Sequence, residues 1–370
     1  MIATTKKTTK LFLGPQHPGI TGNMMVELDV QGDTVVRART HVGYLHRGFE
    51  KLMEERLWIQ CFPIVCRICV PEPDPNEENF ARGVEEIAGI EIPERAKWIR
   101  TLVLELSRLQ AYLLWMGGQA GSIGLYTMPQ WTVGDRDYIL DLFEELTGGR
   151  VYHMYIWPGG VRRDLPKGFR DRVLKVMDYL ESRLPEYDRL LFENALFIKR
   201  ASGVGVIDPS RAMEWGVVGP PLRAAGFRHD TRIDDPYEAY SEVEFVVPTR
   251  TESDVYARAM IRRFEFEQSI SIVRQVLDNM PEGPVYTGIP NPFQWRVPPG
   301  DAYVRTESAR GEFAYYVVSD GSTKPRRVHA RGPAYVHGVT LLEHLLEGAN
   351  IADVSMIMNS LGTCPPEIER

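Results

Sequence analysis

The first fifty residues alternate apolar and polar side chains, with the period of two that is typical of a half-buried strand. Residues 26–30 alternate aliphatic with acidic side chains, and the alternation resumes over residues 35–39. Gly32 and Asp33 stand between the two runs, and this pair favours a tight turn. We therefore predict a β-hairpin with one buried face within residues 1–50.

The period lengthens after residue 93, where apolar residues recur at intervals of three and four, as in amphipathic helices. The first predicted helix has Pro93 in its first turn and runs for about six turns, up to Gly117 and Gly118. Three further helices are predicted: about 135–147, about 168–196 with a kink at Pro185, and from an N-cap at Ser253 to Met280. Such helices bury their apolar stripes against one another, which predicts a helical bundle.

Strand-like alternation returns between residues 284 and 335 and predicts a second antiparallel sheet at the periphery. The chain has no internal repeat, low-complexity tract or long linker. We therefore expect a single domain of the α+β class, mainly α. Its parts would be an N-terminal β region (1–50), a helical bundle (93–281), a second β region (284–335), and a C-terminal helix with a cysteine-containing tail (336–370).

Composition narrows the class of protein. Apolar residues make up 44% and charged residues 25% of the 370 positions, values typical of a globular chain with a large core. No apolar run approaches the roughly 20 residues that a membrane helix needs, and the first residues lack the apolar stretch of a signal peptide. The net charge of -7, without a basic block, argues against nucleic-acid binding. The absence of a Walker or GxGxxG loop argues against nucleotide binding.

Three of the four cysteines lie in two short segments at opposite ends of the chain. Cys66 and Cys69 form a C-x-x-C pair, and Cys364 and Glu367 repeat that spacing. The spacing lets two side chains converge, so we predict that three sulfurs and one carboxylate surround one centre. A redox pair, half of a zinc site and ordinary buried thiols remain alternatives. Cys61 is interpreted as a core thiol, and four cysteines are too few for a disulfide scaffold, so we expect no structural disulfide.

Four motifs of the chain resemble those of the quinone-site 49 kDa subunit of respiratory complex I. They are residues 14–18 (GPQHP), 41–51 (HVGYLHRGFEK), 159–166 (GGVRRDLP) and 306–312 (TESARGE), and the resemblance runs nearly from end to end. That family is similar to the large subunits of nickel–iron (NiFe) hydrogenases, in which two CxxC motifs hold the metals, and the resemblance implies a NiFe-hydrogenase large-subunit-like fold. It matches Cys66, Cys69 and Cys364 to three of the metal ligands and Glu367 to the fourth.

Two groups that bind the quinone headgroup in the complex I family are replaced in this chain. The resemblance aligns the quinone histidine with Thr21 and the quinone tyrosine with Val70, and neither side chain supplies the same donor at that reach. The hydrogenase pattern is also incomplete. Nickel in these enzymes uses four thiolates, and the carboxylate of Glu367 is a harder ligand. We therefore expect no NiFe centre and no cofactor bound by this chain.

A chain with these departures is similar to the large subunits of membrane-bound sulfane sulfur reductases. The resemblance implies ferredoxin as electron donor, a proximal 4Fe-4S cluster in an adjacent small subunit, and reduction of the S–S bonds of polysulfide. It also implies iron-sulfur small subunits, a complex I 30 kDa-like subunit, an antiporter-like membrane arm that moves ions, and a peripheral location on the cytoplasmic side of the cell membrane. A divergent group 4 membrane-bound hydrogenase, a quinone- or phenazine-reducing subunit of the complex I or F420H2 dehydrogenase type, and a structural zinc-binding subunit remain alternatives.

This resemblance gives roles to the candidate catalytic residues. Cys66 and Cys69 exchange with sulfane sulfur through a persulfide, and Cys364 and Glu367 complete the centre. Arg67 either holds the terminal charge of polysulfide or makes a structural ion pair.

Protons would come from a histidine of the N-terminal region. His17 or His46 is placed beside the substrate chamber by the resemblance, and His17, between two neighbouring prolines of the chain, is favoured. A structural hydrogen bond to the backbone is the alternative for either ring.

Two further features concern residues 71–78 and 153. Glu72, Asp74, Glu77 and Glu78 lie in a proline-rich stretch that we interpret as a rigid lid, with a solvated acidic loop as the alternative. His153 aligns with a family histidine near the path to the membrane arm. The aspartate that often accompanies this histidine aligns with Ser122, so the sequence leaves coupling through the usual Asp–His pair open.

Overall fold

An antiparallel three-stranded sheet begins the fold in the computed structural model, which describes residues 7–20 and 22–370. Its strands are β1 (Thr9–Leu13), β2 (Met25–Gln31) and β3 (Thr34–His41), in the order β1-β2-β3. The predicted hairpin is confirmed as β2 and β3, since the alternate aliphatic residues of β2 are buried and Gly32 turns the chain at φ +68°. The pairing of β1 with β2 was not predicted.

The helices and remaining strands follow in one chain path. They are α1 (Phe49–Glu54), α2 (Phe62–Val65), α3 (Asp74–Ala88), α4 (Glu94–Gly121), α5 (Thr127–Thr147), β4 (Ile156–Trp157), β5 (Gly160–Val161), α6 (Phe169–Tyr187), α7 (Ala195–Ala201), α8 (Pro209–Glu214), α9 (Gly219–Ala224), α10 (Thr231–Asp234), α11 (Val255–Asn279), β6 (Gly300–Ser308), β7 (Gly311–Ser319), β8 (Arg327–Arg331), α12 (Leu342–Leu346), α13 (Val354–Leu361) and α14 (Pro365–Glu369). Short 3-10 turns occupy Trp58–Cys61, Tyr240–Glu242 and Ile351–Asp353, and π-helical turns occupy Asp188–Phe192 and Val336–Leu341.

A bundle of long helices forms the centre, as predicted. Helix α4 packs against α5 and α11, and α11 also contacts α6 and α13. The apolar stripe of α4 is buried, and one apolar cluster extends from Ile20 to Leu361. No helix within the described part of the chain is both long and apolar enough to cross a bilayer.

Several helix boundaries differ from the predictions. Helix α5 begins at Thr127 rather than near residue 135. The segment predicted as one helix after residue 168 leaves the α conformation at a π turn soon after Pro185, and Asn194 then caps α7. Asp254, not Ser253, caps α11, because its carboxylate accepts the Ala257 N–H at 2.7 Å while the Ser253 hydroxyl donates to the Ile207 carbonyl.

The acidic stretch after the C-x-x-C pair is neither a lid nor a solvated loop, and that interpretation was wrong. Asp74, Glu77 and Glu78 begin α3, which packs on β6 and β7 with all three side chains fully buried. Pro73 and Pro75 stand at the N-cap and in the first turn, where a missing N–H breaks no helical hydrogen bond. The carboxylates enter the interior because partners from distant segments meet most of them there.

The second sheet has the antiparallel order β6-β7-β8. Most of β7 is buried, since α3 covers this sheet. The turn between β6 and β7 carries Arg310. After α13, Gly362 turns the chain at φ +71°, and Cys364 becomes the N-cap of α14. This turn brings the end of the chain to the C-x-x-C pair.

Candidate functional site

Two of the three candidate thiols meet the candidate carboxylate in the interior. The ligand atoms of Cys69, Cys364 and Glu367 all lie within 4.8 Å of one another. The two sulfur atoms are 4.0 Å apart, and the exposed fractions of the three residues are 1%, 5% and 0%. Cys69 follows the turn after α2, and Cys364 begins α14, so two separate segments build this group. We call it the thiol–carboxylate group.

Cys66 is not a member of the thiol–carboxylate group, so the predicted convergence of three sulfurs is replaced by two sulfurs and a carboxylate. Its Sγ lies 3.4 Å from the Pro63 carbonyl and 3.4 Å from Arg67 Nη1. Arg67 also donates to the Pro63 carbonyl and lies over the Tyr152 ring, 4.7 Å from its centroid. Cys66 belongs to the helical end of α2, whereas Cys69 lies beyond the following turn, and the two sulfurs therefore face different surroundings. Cys61, by contrast, is fully buried in the core.

Arg310 links the thiol–carboxylate group to a buried carboxylate. Its Nη1 donates to Cys69 Sγ at 3.2 Å and to Glu72 Oε2 at 2.9 Å. The other oxygen of Glu72 accepts the Ala309 N–H at 2.8 Å. Glu72 is only 1% exposed, so this ion pair is shielded from solvent.

The surroundings shift the pKa values of the three members of the thiol–carboxylate group in different directions. The contact between the Cys69 and Cys364 sulfurs, with Arg310 nearby, lowers the pKa of Cys364 to about 6. Burial, together with that same contact, raises the pKa of Cys69 well above its ordinary value. Burial and the adjacent Cys364 raise the pKa of Glu367 to about 8. At neutral pH the two sulfurs therefore share one proton, and the Glu367 carboxyl keeps its own.

Glu367 is held by the backbone of the segment after β8. Its Oε1 accepts the Ala334 N–H at 2.7 Å, while no described residue satisfies Oε2. The carboxyl lies directly against Gly332, where an added Cβ would approach Glu367 Oε1 to 2.3 Å. Only glycine leaves room for the carboxyl in this position.

A cavity of about 790 Å³ reaches this group from the N-terminal loop. Its lining includes Cys364 and Arg310 but, among the described residues, not Cys66, Arg67, Cys69 or Glu367. A ligand that enters would therefore meet the Cys364 side first. Val70 also lines the wall and offers no hydrogen-bond donor there, whereas Thr21 lies outside the described residues.

His17 is the histidine that borders this cavity. Its Nδ1 accepts the Gly19 N–H at 3.0 Å, so the proton of the neutral ring is on Nε2. His46 is not part of the wall, and its Nδ1 lies 2.5 Å from the Glu369 carbonyl. His17, the favoured candidate, is thus the histidine that a ligand in the cavity can reach. His46 makes a structural contact with the backbone, which was the alternative role for either ring.

An Asp–His pair is present, although its aspartate was not predicted. His153 Nδ1 lies 2.9 Å from Asp74, and its ring stacks on Phe143 with 3.7 Å between centroids. Burial lowers the pKa of His153, but Asp74 more than offsets this and the pKa is raised above its ordinary value. Ser122 lines the cavity and donates to the Gln119 carbonyl instead.

Arg262 is a cavity residue that the sequence interpretation missed. It lies on α11 with 1% exposure, and its guanidinium stands 4.7 Å from the centroid of the Trp115 ring. The signal was available, because Arg262 stands four positions before Phe266 on the apolar stripe of that helix. A charge on a buried stripe indicates a function or a buried partner.

The donor set does not fit a nickel–iron centre. Such a centre needs four thiolates, two of which bridge the metals, whereas the thiol–carboxylate group offers two sulfurs and one carboxylate. Cys66 forms its contacts elsewhere.

Comparison with known proteins gives the family. Residues 122–370 match the family model of the respiratory-chain NADH dehydrogenase 49 kDa subunit. The chain belongs to this family. An NADH-quinone oxidoreductase subunit of Thermosipho melanesiensis is 50% identical, covering 98% of this chain and 99% of that relative. An F(420)H(2) dehydrogenase subunit of Methanosarcina mazei is 40% identical, covering 97% of each chain.

A solved structure gives the same fold for this 49 kDa family member. The membrane-bound sulfane sulfur reductase, described as an archaeal respiratory membrane complex, contains a chain that is 47% identical with a TM-score of 0.96. The match covers 99% of this chain and 100% of that one. The mainly helical fold with small antiparallel sheets is thereby confirmed, and the protein is an oxidoreductase subunit of a respiratory complex.

Proposed function

We propose that this chain is the catalytic-side large subunit of a membrane-bound complex that reduces polysulfide with electrons from ferredoxin and couples the reaction to ion translocation. The observation that carries the proposal is the cavity wall where the Cys364 thiolate stands beside Arg310. A thiolate next to a guanidinium suits attack on sulfane sulfur. The 47% identity to a chain of sulfane sulfur reductase supports the same assignment.

The chemistry can be written for the residues of this chain. The Cys364 thiolate attacks one sulfur of an S–S bond, forms a Cys364–S–S adduct and releases a sulfur anion. Two electrons then break the adduct, which restores the Cys364 thiolate and releases a second sulfur anion. His17 Nε2–H is placed to protonate one of these anions.

Electrons would be supplied one at a time by a 4Fe-4S cluster in an adjacent small subunit, and this chain itself would hold no cofactor. Cys69 lies 4.0 Å from Cys364, sulfur to sulfur, and stabilises the Cys364 thiolate through this contact. Cys66 and Arg67 do not line the cavity, and they support the turn that carries Cys69. In this mechanism the reacting sulfur belongs to Cys364 and not, as the sequence suggested, to the C-x-x-C pair.

The proposed assembly follows the same resemblance. The partners would be iron-sulfur small subunits, a complex I 30 kDa-like subunit and an antiporter-like membrane arm. The chain would be peripheral, on the cytoplasmic side of the membrane.

Quinone or phenazine reduction is the second candidate function. Trp115 and Tyr126 line the mostly apolar cavity, and such walls suit a planar ring. The 50% identity to an NADH-quinone oxidoreductase subunit favours it as well. The absence of a donor at Val70 weighs against it. A divergent hydrogenase has less support, because the thiol–carboxylate group lacks two of the four thiolates.

One experiment separates these candidates. The purified complex would be analysed for nickel, zinc and iron, and then assayed with reduced ferredoxin and with polysulfide, protons or a quinone as acceptor. The proposal expects polysulfide-dependent ferredoxin oxidation without stoichiometric nickel. Nickel near one per chain with hydrogen evolution, or a faster reaction with quinone, would overturn it, and zinc near one per chain without activity would favour a structural site.

Variants of single thiols make the assay specific. Cys364→Ser should abolish polysulfide reduction, whereas Cys61→Ser should retain it, since Cys61 is buried outside the thiol–carboxylate group. Retained activity in Cys364→Ser would remove that thiol from the mechanism.

A further inference from the structure

Arg262 is a buried cation without a matching anion. Its Nη1 donates to the carbonyls of Ser360 and Arg258, at 2.8 and 3.2 Å, while Nη2 has no partner among the described residues. The carboxylate of Glu265, further along the same helix, is already engaged by Arg223 at 2.6 Å and by the Tyr112 hydroxyl. An uncompensated buried charge is unfavourable, so this guanidinium gains stability from any anion that reaches it.

The position of Arg262 connects it to the reacting thiol. Gly362, two residues before Cys364, lies between the side chains of Arg262 and Arg310: an added Cβ there would stand 3.0 Å from Arg262 Nη2 and 3.4 Å from Arg310 Cγ. All four residues line the same cavity. Arg310 is neutralised by Glu72, whereas Arg262 is not. Burial lowers the pKa of Arg262 to about 10, so it stays charged at neutral pH.

We propose that Arg262 is the subsite for the anionic end of the substrate, and that it holds the terminal sulfur of polysulfide while an internal S–S bond lies at Cys364. This inference rests on the proposed function and deepens it. The Trp115 ring beside the guanidinium and the largely apolar wall favour a large, polarisable, weakly hydrated anionic sulfur over phosphate-like anions. From the sequence, Arg67 was the candidate for holding this terminal charge, but Arg67 contacts Cys66, and the role is assigned to Arg262 instead.

The test compares a charged with an uncharged acceptor in the intact complex. Reduced ferredoxin would be the donor, and tetrasulfide dianion or neutral dimethyl trisulfide the acceptor. Arg262→Gln should raise KM for tetrasulfide about tenfold or more and leave KM for dimethyl trisulfide within about twofold, since only the dianion loses a charge-assisted contact. Arg262→Lys should recover part of the loss.

Arg258→Gln is the matched control. Arg258 is also fully buried on α11 and makes no ion pair within the described residues, but it does not line the cavity. Its loss should change both acceptors equally, through stability alone. Equal changes for both acceptors in Arg262→Gln, or a tetrasulfide-specific change in Arg258→Gln, would overturn the inference.

Two results distinguish this inference from the proposed function. If the unchanged complex reduces neither acceptor, the proposed function fails. If it reduces both and Arg262→Gln behaves as the unchanged complex, only the subsite fails. Should Arg262→Gln not assemble, thiocyanate replaces the variant as a probe of the unchanged complex. Competitive inhibition against tetrasulfide supports the subsite, and absent or non-competitive inhibition refutes it.

Discussion

The sulfur atoms of Cys69 and Cys364 lie 4.0 Å apart, although 295 positions separate the residues in the chain. The contact couples the titration of the two thiols. The pKa of Cys364 falls to about 6 for this reason, while the pKa of Cys69 rises. One of the two sulfurs is thus ionised at neutral pH.

Replacing Cys69 by alanine should raise the pKa of Cys364, because the sulfur contact that lowers it is removed while burial remains. The midpoint of Cys364 alkylation by iodoacetamide, followed by mass spectrometry as a function of pH, should shift upward from about 6. Cys61→Ala is the control, since Cys61 donates to the Leu57 carbonyl away from the site. An unchanged midpoint in Cys69→Ala would show that the thiol contact does not set the pKa.

Replacing Arg310 by methionine should leave Glu72 buried and unpaired. The free energy of unfolding should fall by about 3–5 kcal/mol, and a second change, Glu72→Gln, should restore part of it. Urea unfolding measures both. Arg327→Met tests the specificity of the effect: Arg327 pairs with Glu50 but its side chain is 45% exposed, so about 0–1 kcal/mol is expected. Losses of similar size at the two arginines would contradict the prediction.

The Asp74–His153 pair should make stability depend on pH. The folded-state pKa of His153 is raised, so the contribution of the pair is fully present below the unfolded pKa, about 6.5, and is lost as the pH rises through the raised value. The stability difference between the unchanged protein and Asp74→Asn should therefore be largest near pH 6 and shrink toward pH 9. Thermal unfolding across this range measures it.

Asp135→Asn is the control for that pH dependence. Asp135 is also buried, but it pairs with Arg183, which keeps its proton throughout this range. The stability difference should thus be constant from about pH 6 to pH 9. A flat profile for Asp74→Asn as well would rule out the assigned charge on His153.

Glu77 should be a strong structural anchor although its carboxyl group is buried. Its two oxygens accept the backbone N–H groups of Met154, Tyr155 and Ile156 at 2.6 to 3.2 Å. Glu77→Ala should cost about 3 kcal/mol or more, because these buried donors lose their acceptor. Glu86→Ala on the same helix should stay within about 0.5 kcal/mol, since Glu86 is exposed. Denaturant unfolding of the two variants compares them, and equal costs would refute the anchor.

The parts of the fold with a local signal were predictable from the sequence. The alternation in β2 and the stripe of α4 directly express which face is buried. The burial of the acidic stretch at the start of α3 was not predictable in this way, since Glu77 and the preceding Glu72 find partners on segments about 80 and more than 200 residues away. The sequence shows no partners near these acidic residues and therefore favours a place at the surface. Hydrogen-bond donors from distant segments allow them to be buried instead.

The site was predictable to a similar degree. Spacing and resemblance brought Cys69, Cys364 and Glu367 together, but the direction of Cys66 depends on the turn after α2, which no spacing rule describes. The placement of Arg262 could have been predicted from its position on an apolar stripe. Its missing partner is visible only in three dimensions.

The distance along the chain between Cys69 and Cys364 also has a consequence for folding. A contact between segments so far apart closes a very long loop, so it forms late, after the local helices and hairpins. During synthesis Cys69 emerges long before its partner, and until the two meet each sulfur has the ordinary reactivity of an isolated thiol. The nucleophile of the proposed mechanism would thus appear only when the chain has closed around it, and an unfinished or misfolded chain would carry no activated Cys364 sulfur that could react with the wrong partner.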